Sequence, residues 1–306
     1  MDNTFLFFDI ECANCFNGIG KMCSLGYVII NENFEILDED DVVMNPETEF
    51  DWYLFEPKND CTLAYSKDYF RMQHNFESYH SEIKKLFETP FRKIFGFSVK
   101  NDIGFLQSAC ERYSLPEINY AAFDIRNILK KFYQKDAKLE EWCDFFNIKK
   151  DSFRLHKSVD DAKLTMLVLK EFCKKENLSL ENLISKNKDS KISVEKYLEE
   201  KQKRAHAEEI IKKIKSLYEK KIKSPYSKRF LNQHFAFAFK ITTENCDAAL
   251  EIAEKIYKHA GILHKSLKSN GNLIFLEKNI SEEKKEAYKQ KNLIPVFKDD
   301  IYNTSS

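Results

Sequence analysis

Apolar and polar positions fall in blocks along this chain, and each block has a length that suits one element. Phe5 to Glu11, FLFFDIE, is a short apolar run ending in two acids, which predicts a buried strand. Met22 to Ile30 predicts a second strand and Val42 to Met44 a third, with the turn-rich CANCFNGIG loop between the first two. Glu32 to Asp41 is polar and reads as a hairpin turn followed by an acidic edge. Residues 45–70 are irregular and aromatic, with Trp52, Tyr53, Phe55, Tyr65, Tyr69 and Phe70. Phe76, Tyr79, Ile83, Leu86 and Phe87 recur at helical spacing and predict an amphipathic helix over Phe76 to Glu88, ended by Pro90. Lys93 to Val99, KIFGFSV, predicts another strand, after which Asp102 opens the helix DIGFLQSACERY. Ala121 to Phe123 predicts a strand running into a helix from Ile125. Leu139 to Phe146 and Asp161 to Cys173 predict two further helices. Strands first, then strands alternating with helices, predict an α/β layered domain over residues 1–178.

The pattern changes beyond it. Residues 179–224 are rich in Lys and Glu, and Ile210, Ile211, Ile214, Leu217 and Tyr218 share one helical face. This predicts a charged helical linker with one apolar side, whose basic content also suits contact with nucleic acid. Residues 225–306 predict a small α/β unit. It contains the FAFAFKI strand, a helix from Cys246 to His259 with Gly261 as its C-cap, strands over Asn272 to Leu276 and Leu293 to Phe297, and a helix over Ser281 to Gln290.

Hydrophobic residues form 43% of the 306, which predicts a globular protein and excludes a disordered one. No apolar run has the length of a membrane span, and the first residues carry no charged-then-apolar signal pattern, so a cytoplasmic location is expected. Eight scattered cysteines fit reduced thiols. Cys12, Cys15 and Cys23 come close in sequence but show no fourth ligand, so a structural zinc is not expected there. The formal net charge is zero but uneven. Lys21 and Lys58 are the only basic residues from Met1 to Asp60, whereas lysines cluster from Lys186 to Lys223. A polyanionic substrate is therefore compatible with the total.

The candidate chemistry lies at the strand ends. Asp9 and Glu11 are two apart on a strand, so both carboxylates project to one face. Two acids at the edge of a core repel each other, and a hard divalent cation between them relieves the repulsion. Asp102 follows KIFGFSV. In LHKSVDDAKLT, Asp161 falls in the first turn of an apolar helix, with His156 on the preceding loop. Carboxylates converging from separate elements can hold two cations that clamp a phosphodiester and activate water, while a histidine takes the water's proton. Singly, each residue has a plain structural use: a strand edge for Asp9 and Glu11, a helix N-terminus for Asp102, a Ser158–Asp161 capping box, a surface hydrogen bond for His156. Those uses do not explain the set.

At FDIECAN, NDIGFL and HKSVDDA the chain resembles the DEDDh exonucleases, the DnaQ-like group, over roughly residues 1–177; CSLGYV, HNFESYHSEIKKLF and AKLEEWCDFFNI also look like that family. The resemblance implies an RNase H-like mixed sheet flanked by helices. It implies that Asp9, Glu11, Asp102 and Asp161 hold two Mg²⁺ or Mn²⁺ ions, with His156 as general base. The implied reaction hydrolyses 3′-terminal phosphodiesters to nucleoside 5′-monophosphates. By the family's spacing Asp161, rather than Asp160, is the last ligand. Cys12, Ala13 and Asn14 would lie beside the terminal nucleotide. The middle motif departs from the family's His-Asn and Phe-before-Asp pattern: it reads SVKND, which puts Lys100 and Asn101 in the place of a phosphate contact. The family's His-Gly-Ile-type segment is missing from residues 45–70.

Arg229 to Tyr302 resembles a BRCT domain through its FAFAF strand, Ala260-Gly261, NLIFLEK, KKEAYKQ and IPVFKDDIY. It departs at Lys240-Ile241, where the family has Thr/Ser-Gly, a position that contributes to phosphopeptide binding in some members, and it lacks a Trp in the last helix. This resemblance implies docking to DNA or to a protein partner. The expectation is a 3′→5′ exonuclease on single-stranded DNA or 3′ ends, linked to DNA repair. An RNase T-like exoribonuclease and a non-catalytic nucleic-acid or protein adaptor on the same fold are the alternatives.

Overall fold

The computed structural model describes residues 4–16, 19–56, 62–278 and 280–302. The chain divides into two compact units, Met1–Leu198 and Glu199–Ser306. The first holds β1 (Phe5–Phe16), β2 (Ile19–Ile30), β3 (Ile36–Val43), α1 (Lys67–Met72), α2 (Phe76–Glu88), β4 (Lys93–Gly96), α3 (Val99–Arg112), β5 (Ala121–Asp124), α4 (Ile125–Tyr133), α5 (Leu139–Phe145), α6 (Ser158–Lys175), α7 (Leu180–Lys186) and β6 (Lys191–Ser193). The strands form one mixed sheet in the order β3-β2-β1-β4-β5-β6. β1 is antiparallel to β2 and parallel to β4, and β4 is parallel to β5.

The unbroken apolar run at the start of β1 has a simple cause: the sheet is covered on both faces. Phe5 and Phe7 pack with Trp142, Leu164, Val168 and Phe172. Leu6 and Phe8 point the other way and pack with Ile83, Phe87, Ile103 and Leu106. Strand alternation then carries Asp9 and Glu11 onto the face of Phe5 and Phe7, the face that α6 covers. One edge of the sheet is β3, which carries Asp38, Glu39, Asp40 and Asp41. A charged edge of this kind resists pairing with a foreign strand.

Several expectations are corrected here. The CANCF segment is not a loop, because β1 continues to Phe16 and pairs with β2 through a bulged register. The acidic edge is itself β3, so the third strand begins at Ile36 rather than Val42. β4 stops at Gly96 and α3 starts at Val99, leaving Asp102 in its first turn. The first unit extends to Leu198, not 178, because β6 pairs antiparallel with β5 and Val194 is buried in the core beneath α2 and α3.

The second unit begins within α8 (Val194–Leu217) and continues through β7 (His234–Phe237), α9 (Cys246–Lys258), β8 (Ile262–Leu263), β9 (Gly271–Phe275), α10 (Glu282–Lys289), β10 (Leu293–Phe297) and α11 (Lys298–Tyr302). Its strands form a parallel sheet in the order β10-β9-β7-β8. The expected linker from Glu199 on is part of this unit: Ala207, Ile210 and Ile214 are buried with Phe235, Ala249, Ile252 and Ile256. Its apolar stripe is core-forming, which explains why a Lys/Glu-rich segment carries one. The left-handed residue after α9 is Ala260 (φ 69°), one position before the expected Gly261, whose N–H bonds Ile256 O at 2.8 Å. Gly261 has a packing reason instead, since a Cβ there would meet Ile256 at 2.5 Å. Among the described residues no helix is long and apolar enough to cross a membrane.

Candidate active site

The site forms where β1 ends its buried stretch. Asp9 pairs in register with Gly26 on β2, and Gly26 with Asp41 on β3, so the three residues form a row across the sheet. The first turn of α6 lies on the middle of that row. A Cβ on Gly26 would stand 1.9 Å from the Val159 nitrogen and 2.0 Å from the Ser158 carbonyl carbon. Glycine is required there because the helix backbone occupies the side chain's place. That close approach brings the start of α6 down onto the carboxylates.

α6 then supplies Asp161 in its first turn. Asp161 Oδ2 accepts the N–H of His156 at 3.0 Å. His156 has φ 58°, a left-handed conformation that costs a non-glycine residue roughly 1 kcal/mol or more. Its ring turns toward β1, with Nδ1 3.1 Å from Glu11 Oε1. Donor atoms of Glu11, His156 and Asp161 all lie within 4.8 Å of one another. Asp102 enters from the first turn of α3, just after Ser98, a second left-handed residue (φ 65°). Ser98 N–H donates to Asp124 Oδ1 at 3.2 Å, which fixes the turn between β4 and α3.

The electrostatics are those of acids forced together. Burial pushes the Asp9 carboxyl well above its usual range, and Asp161, Glu11 and Asp102 push it further. Burial also pushes Asp102 well up, helped by Glu11 and Asp124. Asp161 is pushed up to about 7, first by burial and then by Glu11, with His156 opposing. Among the described residues, Asp102 Oδ2 and Asp161 Oδ1 are buried without a hydrogen-bond partner. Buried oxygens left without donors, in a group of mutually repelling carboxylates, fit a divalent cation with oxygen ligands.

Of the five predicted residues, Glu11, His156 and Asp161 bring donor atoms within 4.8 Å of one another, and Asp9 and Asp102 lie near enough for the charges of this group to act on them. Asp160 does not join them: its Oδ2 accepts the Arg154 N–H at 2.9 Å, which ties it to the loop before α6. The Ser158–Asp161 capping box, the plain structural use of this pair, is not formed. Lys157 is the N-cap, and Ser158 Oγ instead donates to Asp41 Oδ1 at 2.6 Å. Asp41 also accepts from Tyr65 OH at 2.8 Å, and burial raises its carboxyl. Asp41, Ser158, Tyr65 and Gly26 were not singled out in the sequence as parts of the site. The only signal was the GYV and DEDD stretches on neighbouring strands, whose register cannot be read without the fold.

The expected nucleotide contacts divide. Ala13 is fully enclosed with Cys23, Phe50 and Phe70, so its side chain meets no ligand. Its carbonyl accepts the Asp51 N–H at 2.8 Å. Asn14 Nδ2 donates to Glu49 O at 2.6 Å, so it anchors the loop that carries exposed Trp52. Cys12 is half-buried beside the cluster of Ile10 and Ile103. Lys100 and Asn101 are exposed in the first turn of α3, next to Asp102.

No protein-family model matches this chain, and no curated protein matches it. Among solved structures it is similar to a 3′-exonuclease in a complex that recognises the 3′ end of a histone mRNA stem-loop, at 15% identity and TM-score 0.49, over 58% of this chain and 84% of that one. It is similar to the nuclease domain of 3′hExo, a DEDDh family member bound to rAMP, at 16% identity and TM-score 0.48, over 57% and 93%. It is also similar to the zinc-bound E. coli exonuclease I–single-stranded DNA complex, at 14% identity and TM-score 0.48, over 58% of this chain but only 42% of that one.

Proposed function

We propose that the first unit is a metal-dependent 3′→5′ exonuclease. It releases nucleoside 5′-monophosphates from single-stranded DNA or frayed 3′ ends. The observation that supports this reading is the grouping of Glu11, His156 and Asp161 with the mutually repelling Asp9 and Asp102, whose set includes buried carboxylate oxygens with no donor among the described residues. Asp9, Glu11, Asp102 and Asp161 would hold two Mg²⁺ or Mn²⁺ ions. Bound there, such ions would make a nucleophile of water and offset charge on the leaving oxygen. The protein's own part is to hold these acids in place and to move a proton. Glu11 Oε1 faces His156 Nδ1 and favours the tautomer with a proton on that nitrogen, which leaves Nε2 able to accept one from water. The Asp161 carboxylate holds the His156 backbone, so ring and metal ligand are positioned together. Lys100 and Asn101, exposed beside Asp102, suit a phosphate contact.

The second unit is read as a BRCT-like docking module for DNA or a protein partner. Its β-α-β-β-α-β-α order over a parallel sheet supports that reading, and with it DNA over RNA. The test is incubation of 5′-labelled single-stranded DNA and a matching RNA with Mg²⁺, Mn²⁺ or chelator, alongside Asp9→Ala. A metal-dependent ladder shortening from the 3′ end of DNA, absent in the variant, is expected. Shortening of RNA alone would move the substrate to the RNase T type. Binding without shortening, equal in both proteins, would replace the enzyme with an adaptor.

A further inference from the structure

The second unit carries a group of donors quite unlike the first. His206 lies on α8, while Cys246 and Asp247 open α9. One donor atom from each lies within 4.8 Å of the other two. We propose that these three residues form a separate binding site for a borderline-soft divalent ion, Zn²⁺ above all, which fastens α8 to α9.

The cysteine sets this group apart from a surface ion pair. His206 Nε2 and Asp247 Oδ1 stand 2.7 Å apart, with side chains 54% and 69% exposed. As an ion pair between such exposed groups they would contribute about 0.2–1 kcal/mol, and they would have no use for a thiol. Yet the Cys246 side chain is fully enclosed and still lies within reach of both. Among the described residues its thiol donates one hydrogen bond, a long one of 3.8 Å to Thr243 O. One sulfur, one imidazole nitrogen and one carboxylate oxygen match the ligand types of zinc. Three protein ligands leave a fourth position, which the exposed His206 and Asp247 turn toward solvent. Tetrahedral zinc with ligands at about 2.0–2.3 Å spaces its donors roughly 3.3–3.7 Å apart, so the His206–Asp247 pair needs to open by less than about 1 Å.

The donor set also separates this ion from the two proposed for the first unit. Thiolate and imidazole select zinc or cobalt, whereas an all-carboxylate group selects magnesium or manganese. The ligand is the thiolate, so the Cys246 proton is released to solvent when the metal binds. The position suggests its consequence. Ala207, beside His206, begins the buried stripe that continues through Ile210 and Ile214 against Ala249, Ile252 and Ile256. A metal there would pin the first turn of that stripe, and its binding energy would add to the stability of the unit.

Co²⁺ is the probe, because its thiolate complex absorbs in the near ultraviolet. The full-length protein, reduced and freed of metal, is titrated with Co²⁺, and the bound cobalt is then displaced with Zn²⁺. Expected is a thiolate-to-cobalt band that saturates at one equivalent, persists in Asp161→Asn, and disappears in Cys246→Ser. His206→Ala, a change at an exposed position, keeps the fold intact. It should weaken Co²⁺ affinity by at least the roughly 10- to 100-fold that loss of a supporting group costs. Zn²⁺ should raise the melting temperature of wild type but not of His206→Ala. No band, or a band that survives Cys246→Ser and is lost in Cys12→Ser, overturns the proposal. An unaltered affinity in His206→Ala overturns it too. None of these readouts depends on nuclease activity.

Discussion

Asp161→Asn removes one charge from the carboxylate group while keeping the shape of the side chain, and its effect on the metal-free protein has a calculable pH dependence. Burial and then Glu11 push the Asp161 carboxyl up to about 7, from the usual aspartate value of about 4. The folded state therefore holds a proton that the unfolded chain gives up once the pH rises through about 4. From there to about 7 the wild type loses stability with rising pH, and above about 7 the loss is complete. A gap of about three pH units corresponds to roughly 4 kcal/mol, an upper figure because neighbouring acids share the repulsion. Asparagine has no proton to lose, and its carbonyl oxygen can still accept the His156 N–H. In denaturant titrations with chelator, Asp161→Asn should match wild type near pH 4. By about pH 8 it should be more stable by about 2–4 kcal/mol. Saturating Mg²⁺ should close that difference by stabilising wild type alone. A stability change that is constant with pH, or a variant less stable than wild type at high pH, would refute the account of the site as strained by charge.

Three further outcomes follow from the same geometry. Metal binding to wild type should release protons, so its affinity should rise as pH climbs toward about 7, and calorimetry in buffers of different ionisation enthalpy should detect the release. His156→Ala should lower the rate of cleavage by about 10²- to 10⁴-fold with metal affinity retained, since Asp9, Glu11, Asp102 and Asp161 remain. Gly26→Ala should cost about 1–3 kcal/mol or more, because its Cβ meets backbone that cannot turn aside, and should reduce metal affinity together with stability. Equal metal affinity in a Gly26→Ala protein that is folded would show that α6 need not sit so low on the sheet.

The acids of the site were legible because each stands at a place that local pattern marks. Asp9 and Glu11 end an apolar strand, and Asp102 and Asp161 open helices. What local pattern cannot show is register. Asp41 reads as one acid among four on an exposed edge until β2 places it across Gly26 from Asp9. Ser158 reads as a cap until that row gives its hydroxyl a better acceptor in Asp41. The domain boundary was missed for a related reason. β6 is three residues long, and its pairing with β5 is a tertiary fact with almost no local signature. The stripe of Ile210 and Ile214 was visible, but the surface it meets belongs to residues 230–256, so it read as a solvated helix.

The contact between His156 and Glu11 joins residues 145 positions apart. During synthesis, β1 leaves the ribosome first, and its two acids have no partners until α6 follows. At about 5–20 residues per second that interval is roughly 7 to 30 s. Throughout it the nascent chain holds half a site, next to messenger and ribosomal RNA. A site proposed for nucleic-acid cleavage that needs α6 stays incomplete for that interval, whatever β1 already presents.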